Sequence, residues 1–270
     1  MMPSAGFIKL ILILPGLSYL VLILYALVFA NRMVFPAPLP GYSDSPDIIK
    51  LGAADSGDIV SLLYLENPGS PYLMYYHHGN GEDLQSCLPR LEALKDAGYS
   101  VLAWDYPGYG TSTGKPTEKT VQEFALQIWE AIPERFGYAH DKVILYGRSV
   151  GGGPALWLAS QHKAAGVIAE STFTSIFRVG LPVNILPWDI FNNLKYVQSL
   201  KCPSLFIHGT NDKIVPFAHS VELHEKAAGP KFFTWINDGQ HSDIIETYSD
   251  TYYTSLNRFR DFISQIQGSS

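Results

Sequence analysis

Ser149, Asp212 and His241 are the residues of this chain whose types, order and settings fit nucleophilic catalysis. A serine hydroxyl attacks well only when a base takes its proton, and an imidazole serves as that base when a carboxylate orients it. Ser149 stands in Gly147-Arg148-Ser149-Val150-Gly151, after the apolar run Val143-Ile144-Leu145-Tyr146 and before Gly152-Gly153-Pro154-Ala155-Leu156-Trp157. This layout predicts a strand entering a helix through a sharp turn that lifts the serine above a sheet. The glycines are required because a Cβ would keep strand and helix apart. Pro154 suits a first helical turn, where its missing N–H is not needed. Gly-x-Ser-x-Gly alone recurs in glycine-rich loops; the flanking strand and helix distinguish this copy.

The two partners are read from position. Ser204-Leu205-Phe206-Ile207 predicts a strand that ends in His208-Gly209-Thr210-Asn211-Asp212, and Phe232-Phe233-Thr234-Trp235-Ile236 predicts another that ends in Asn237-Asp238-Gly239-Gln240-His241. Both candidates fall just beyond strand ends, the edge of an open α/β sheet where ligands bind. Asp212 also reads as an ordinary turn residue in Asn211-Asp212-Lys213, and with eight histidines in the chain, residue type says little about His241. Glu170, closing the run Gly166-Val167-Ile168-Ala169, is the reserve acid, although a brace between neighbouring loops is the preferred reading for it.

Acyl transfer also needs donors for the developing oxyanion. The backbone N–H of Val150, next after the nucleophile, is one. Asn80 is the choice for the second, in the loop His77-His78-Gly79-Asn80-Gly81 that follows the predicted strand 72–76. His78 is expected to support that loop. The His77-His78 pair has no Cys or carboxylate cluster at ligand spacing to complete a metal site, so neither metal nor organic cofactor is expected.

The elements that must hold these groups follow from periodicity. Further strands are expected at 58–65 and 100–104, with a turn at Asn67-Pro68-Gly69-Ser70 and a helix over 117–132. Ile245, Tyr248, Tyr252, Leu256, Phe259, Ile263 and Ile266 recur at helical spacing, predicting a last helix that covers one face of the sheet. Strands alternating with helices imply a mostly parallel sheet flanked by helices. The apolar segment 181–191 reads as a small cap over the site, as a membrane-touching edge or as an ordinary crossover helix.

On His78-Gly79-Asn80-Gly81, Asp105-Tyr106-Pro107-Gly108-Tyr109-Gly110-Thr111-Ser112, the Ser149 motif, His208 to Asp212 and Gly239-Gln240-His241, the chain resembles the α/β-hydrolase-fold serine hydrolases. Within them it is similar to the membrane-anchored α/β-hydrolase domain-containing proteins, a group that includes protein depalmitoylases. The resemblance implies an α/β-hydrolase fold. It also implies a triad of Ser149, Asp212 and His241 acting on acyl esters or thioesters. A serine nucleophile, in place of aspartate, argues against haloalkane or epoxide chemistry. The chain departs from the depalmitoylases in having no cysteine before Cys87, so lipidation cannot attach it to a membrane by the same route.

Residues 10–30 contain no charge, and about twenty apolar residues suffice to cross a bilayer. They predict one N-terminal transmembrane helix, with a cleaved signal peptide as the rival reading. The expected layout is an anchor at 8–30, a connector and domain entry at 31–51 and a catalytic domain at 52–267. Lys9 and Arg32 flank the span almost evenly, which leaves its orientation unread. A net charge of -6 with no basic run excludes a nucleic-acid partner. Cys87 and Cys202 read as buried thiols. The expected function is a single-pass membrane serine hydrolase whose partners are membrane lipid and an acylated lipid, protein or small ester. A peptidase or lysophospholipase on the same triad, and a non-catalytic scaffold, are the alternatives.

Overall fold

The computed structural model describes residues 5–52, 57–180 and 185–269. Eight strands form one sheet in the order β1-β2-β4-β3-β5-β6-β7-β8. They are β1 (Ile48–Gly52), β2 (Ile59–Leu65), β3 (Leu73–His77), β4 (Ser100–Trp104), β5 (Val143–Arg148), β6 (Gly166–Glu170), β7 (Ser204–Gly209) and β8 (Lys231–Ile236). From β4 to β8 every pairing is parallel, and only the β1–β2 and β2–β4 pairings are antiparallel. β3 to β7 are buried throughout, as continuous apolar runs between two helical layers require.

The helices are α1 (Ala5–Val34), α2 (Leu84–Asp96), α3 (Glu118–Phe136), α4 (Gly152–Gln161), α5 (Ile176–Gly180), α6 (Asn193–Val197), α7 (Ala218–Lys226) and α8 (Ile244–Gly268). α3 starts where a capping box predicts: Thr117 caps Thr120 and Thr120 reciprocates. It runs past Pro133, beyond the expected end at 132. A proline at 133 cannot donate to the Trp129 carbonyl; His140 Nε2 takes that place at 2.9 Å, so the last turn keeps its hydrogen bond. α8 buries Tyr252, Leu256, Phe259 and Ile263 on the sheet, while Ile266 stays exposed.

Two further points bear on the site. The sheet begins at Ile48, within the expected connector and domain entry: β1 is short, carries Lys50, and is recognisable only through its pairing with β2. Of the segment expected as a cap or crossover, residues 181–184 lie outside the described residues. From 185 onward the backbone is irregular up to α6, and no crossover helix forms there.

Among the described residues, one helix, over Ile13–Val34, is long and apolar enough to cross a membrane. Its last turns do not lead into a loose linker. Ala26, Ala30 and Val34 are buried, and Phe35 directly follows. The Phe35 ring packs edge-on against Tyr106 (centroids 6.3 Å apart) and Phe191 (6.1 Å). Truncating a core phenylalanine removes its transfer free energy and leaves a cavity. Phe35→Ala is therefore expected to destabilise the folded chain by about 3–5 kcal/mol, read as a lower melting temperature in detergent. An unchanged melting temperature would remove Phe35 from the core.

Candidate active site

The strand order places the expected groups on one edge. β3 and β5 are parallel neighbours, with His77 opposite Gly147, so the Asn80 loop and the Ser149 turn leave the sheet side by side. β7 and β8 are likewise adjacent, with Gly209 opposite Ile236. The Asn211 N–H donates to the Gly239 carbonyl at 2.9 Å, tying the Asp212 loop to the His241 loop. Gly209 and Gly239 meet backbone to backbone, and any Cβ at Gly209 would strike the Gly239 carbonyl.

Ser149 sits at the strand–helix turn with φ of 51°, in the left-handed region that a serine seldom adopts. A single 3₁₀ turn, Ser149–Gly151, precedes α4. Cβ atoms at Gly147 or Gly151 would collide with backbone, at Gly151 O and His77 O respectively. Thr172 Oγ1 donates to the Ser149 carbonyl at 2.7 Å, holding the turn from β6.

His241 Nδ1 is 2.7 Å from Asp212 Oδ2, and His241 Nε2 is 3.1 Å from Ser149 Oγ. Since a carboxylate can only accept, Nδ1 carries the proton and Nε2 is free to accept from the serine hydroxyl. Asp212 is itself buried and fully engaged. Its Oδ1 accepts the N–H groups of Ile214 (2.8 Å) and Val215 (2.9 Å). His208 Nε2 stands 3.1 Å from its Oδ2. Burial favours the neutral acid, but hydrogen bonds from His208 and His241 outweigh it and hold the carboxyl well below the usual range. Val150 is buried in the 3₁₀ turn, and Asn80 is exposed at the turn after β3.

Glu170 does not join this group. It is buried 3.0 Å from Arg90 Nη1 and accepts the Tyr146 hydroxyl. His78 stacks on Tyr106, with centroids 4.0 Å apart, and Tyr106 donates its hydroxyl to the His78 carbonyl at 2.6 Å. Burial first, and repulsion from His78 second, push the His77 imidazole down to about 3, so it stays neutral. Among the described residues no three His, Cys, Asp or Glu side chains gather as a metal site.

Sequence reasoning missed a clamp. Arg148 Nη2 donates to the His241 carbonyl (2.9 Å) and to Ser242 Oγ (3.0 Å). Its Nη1 donates to Glu82 Oε1 at 2.9 Å, while Glu82 Oε2 accepts the Gly79 N–H at 2.6 Å. One guanidinium thus joins the histidine loop, the serine turn and the Asn80 loop. Burial opposes ionisation of Glu82, and the Arg148 charge overcomes it. A charged residue between Gly147 and Ser149, at the end of an apolar strand, was the available signal. His208, which orders Asp212 and binds Ser220 Oγ at 2.6 Å, was hidden inside a strand run.

Residues 72–188 match the family model described as serine aminopeptidase, S33. The chain is 32% identical to human α/β-hydrolase domain-containing protein 17B over 213 residues, covering 77% of this chain and 72% of that protein. It is 34% identical over 199 residues to the Caenorhabditis elegans α/β-hydrolase domain-containing protein aho-3, covering 73% of this chain and 58% of the nematode protein's length. An esterase of Pyrococcus furiosus superposes with a TM-score of 0.70 at 18% identity, over 84% of this chain and 97% of that one. A Paleococcus ferrophilus monoacylglycerol lipase superposes at 0.59 with 20% identity, over 76% and 98%. At these identities the two structures speak for the fold.

Two outcomes follow from the site. Arg148→Lys keeps the charge but loses the planar fork that reaches two loops. It is expected to lower kcat about ten- to a hundredfold with KM little changed, whereas equal kcat would reduce the clamp to ordinary packing. Asp105, which accepts the Leu84 N–H at 2.9 Å, is pushed by burial from an ordinary value of 3.8 to about 7, against its hydrogen bond from Tyr42. Between those values the folded chain holds a proton that the unfolded chain has released, so stability falls as pH rises through the window. Unfolding measured across it should show that slope in the wild type and lose it in Asp105→Asn; equal slopes would contradict a neutral Asp105.

Proposed function

The chain belongs to the α/β-hydrolase domain-containing proteins and is a hydrolase; from that premise we propose that it is a membrane-anchored serine hydrolase that cleaves acyl esters or thioesters. The observation that carries this reading is the continuous contact from Asp212 through His241 to Ser149 Oγ, at 2.7 and 3.1 Å. His241 takes the serine proton as Ser149 attacks the acyl carbonyl, and Asp212 stabilises the imidazolium that forms. The N–H groups of Val150 and Asn80 receive the oxyanion, each donor being worth about 3–4 kcal/mol in the barrier. His241 returns the proton to the departing alcohol or thiol, and water then releases the acyl group from Ser149 by the same steps reversed. Each step runs on side chains and backbone of this chain.

Support for ester or thioester cleavage comes from the related proteins. The comparison structures bear the names esterase and monoacylglycerol lipase. The serine aminopeptidase description of the family model names peptide cleavage as the second reading. For a membrane location the support is the helix over Ile13–Val34, with Lys9 before it and Arg32 in its last turn. A signal sequence would pass the same length test; the packing of the last turns of α1 against the catalytic domain supports the anchor reading. A palmitoylated protein and a lipid ester both satisfy this chemistry.

Membranes carrying the wild-type chain should give a labelled band with a fluorophosphonate probe, and Ser149→Ala should abolish it. Asn80→Ala should keep labelling, because the donor assigned to that position is backbone. A folded wild-type chain that takes up no probe would overturn the enzyme reading and favour a scaffold. If Asn80→Ala falls to background, the side chain rather than the N–H acts there.

A further inference from the structure

One stripe of α1 faces the catalytic domain. Ile23 is half-buried and Ala26, Ala30 and Val34 are buried, at three- and four-residue spacing. One turn before Ile23, the Tyr19 hydroxyl donates to the Ile185 carbonyl at 2.8 Å. The remaining circumference is apolar and exposed, including Leu20, Leu24, Leu27 and Val28. The charges nearest each end are Lys9 and Arg32. At 1.5 Å per residue they stand about 35 Å apart, close to the roughly 30 Å hydrocarbon core of a bilayer. Tyr19 lies about 20 Å along the helix from Arg32. The domain therefore stays docked on α1 for several turns: Glu118, Lys119 and Gln122 lie beside Ala26, Leu27, Ala30 and Asn31, and the Tyr19 contact lies about two turns beyond them, away from Arg32.

The segment beside Tyr19 has the chemistry for hydrocarbon contact. Ile185, Leu186, Pro187 and Trp188 are apolar, and Ile185 and Pro187 are exposed. Asp189, the next residue, has its carboxylate turned into the protein: Oδ1 accepts the N–H of Phe177 (3.0 Å) and of Ile190 (2.7 Å). An irregular backbone carbonyl is tolerated in hydrocarbon only when the protein satisfies it. The Tyr19 hydroxyl satisfies that of Ile185.

We propose that segment 185–188 inserts into the lipid bilayer beside α1, with lipid acyl chains as its partner. This rests on the membrane-anchored hydrolase reading and narrows its substrate class to acyl groups whose chains lie in the leaflet. The segment is continuous with the site: Phe191 packs against Gly153 of α4, four residues after Ser149, and the Ile176 N–H donates to the Ile190 carbonyl at 3.1 Å. Insertion of this rim would bring the leaflet beside the loop that packs against α4 behind Ser149.

The test uses the full chain in phosphatidylcholine vesicles, with Ile185→Cys carrying an environment-sensitive fluorophore. Cys87 and Cys202 are buried, and the wild type serves as the labelling control. Nitroxide on the lipid acyl chain should quench the emission and aqueous iodide should not. Lys163→Cys, on the exposed opposite edge of the sheet, should show the reverse. Quenching of the Ile185 site by iodide alone would overturn the proposal, as would protection from both quenchers, which means a protein partner covers the segment. Fluorophosphonate labelling of the same vesicles separates the two readings. Lipid quenching without labelling keeps the insertion and sinks the hydrolase, and labelling without lipid quenching does the opposite.

Discussion

The left-handed backbone of Ser149 is the constraint around which the neighbouring structure is arranged. A non-glycine residue at φ of 51° costs on the order of 1–3 kcal/mol, and it persists because its surroundings leave no room for relaxation. Gly147 and Gly151 let strand and turn touch, so that β5, the turn and the end of β3 occupy space that any Cβ would claim. Thr172 fixes the serine carbonyl from the adjacent strand. β3, β5 and β6 are parallel neighbours in continuous register, and relaxing the turn would require moving all three. The strain is offset by packing in the middle of the sheet, where the structure is hardest to open.

Arg148 turns the same position to a second use. Its backbone precedes the nucleophile, while its guanidinium reaches Glu82 and the His241 carbonyl. The distance between Ser149 and His241 is therefore set twice, once through Asp212 and once through Arg148. Buried ion pairs contribute little net stability, because desolvation consumes most of the Coulombic gain. Their consequence here is geometric. Glu82 also holds the Gly79 N–H, so the loop bearing Asn80 moves with the histidine loop. Three loops from separate parts of the chain share one guanidinium, and a shift in any of them is resisted by the other two.

The elements that could be read in advance are those whose information is local. The Ser149 turn announces itself through glycines, an apolar strand and a helix start. Residues 100–104 and the helix expected from 117 follow from runs and spacing in the same way. Asp212 and His241 were legible as strand-end residues, and the fold brings both to Ser149. What escaped depends on contacts across the sheet. β1 has no pattern of its own, His140 replaces a donor lost seven residues earlier, and Arg148 meets Glu82 across 66 positions. Nor does anything local in Val34 and Phe35 distinguish the end of an apolar helix from the start of a core.

That last point changes what anchoring means. A flexible linker would leave the catalytic edge free to face any direction, and most orientations would be unproductive for a substrate confined to a plane. In this chain α1 continues without a break into Phe35, whose ring touches Tyr106 and Phe191. Tyr106 stacks on His78 beside the Asn80 loop, and Phe191 fills the space against Gly153 behind the Ser149 turn. In the proposed reading, the element that meets the bilayer is thus two side-chain contacts from both halves of the oxyanion site. A rigid dock of this kind fixes the orientation of the catalytic edge once, during folding. Each encounter with a membrane-held acyl group then begins without that orientational cost, the same advantage that well-placed groups confer inside an active site.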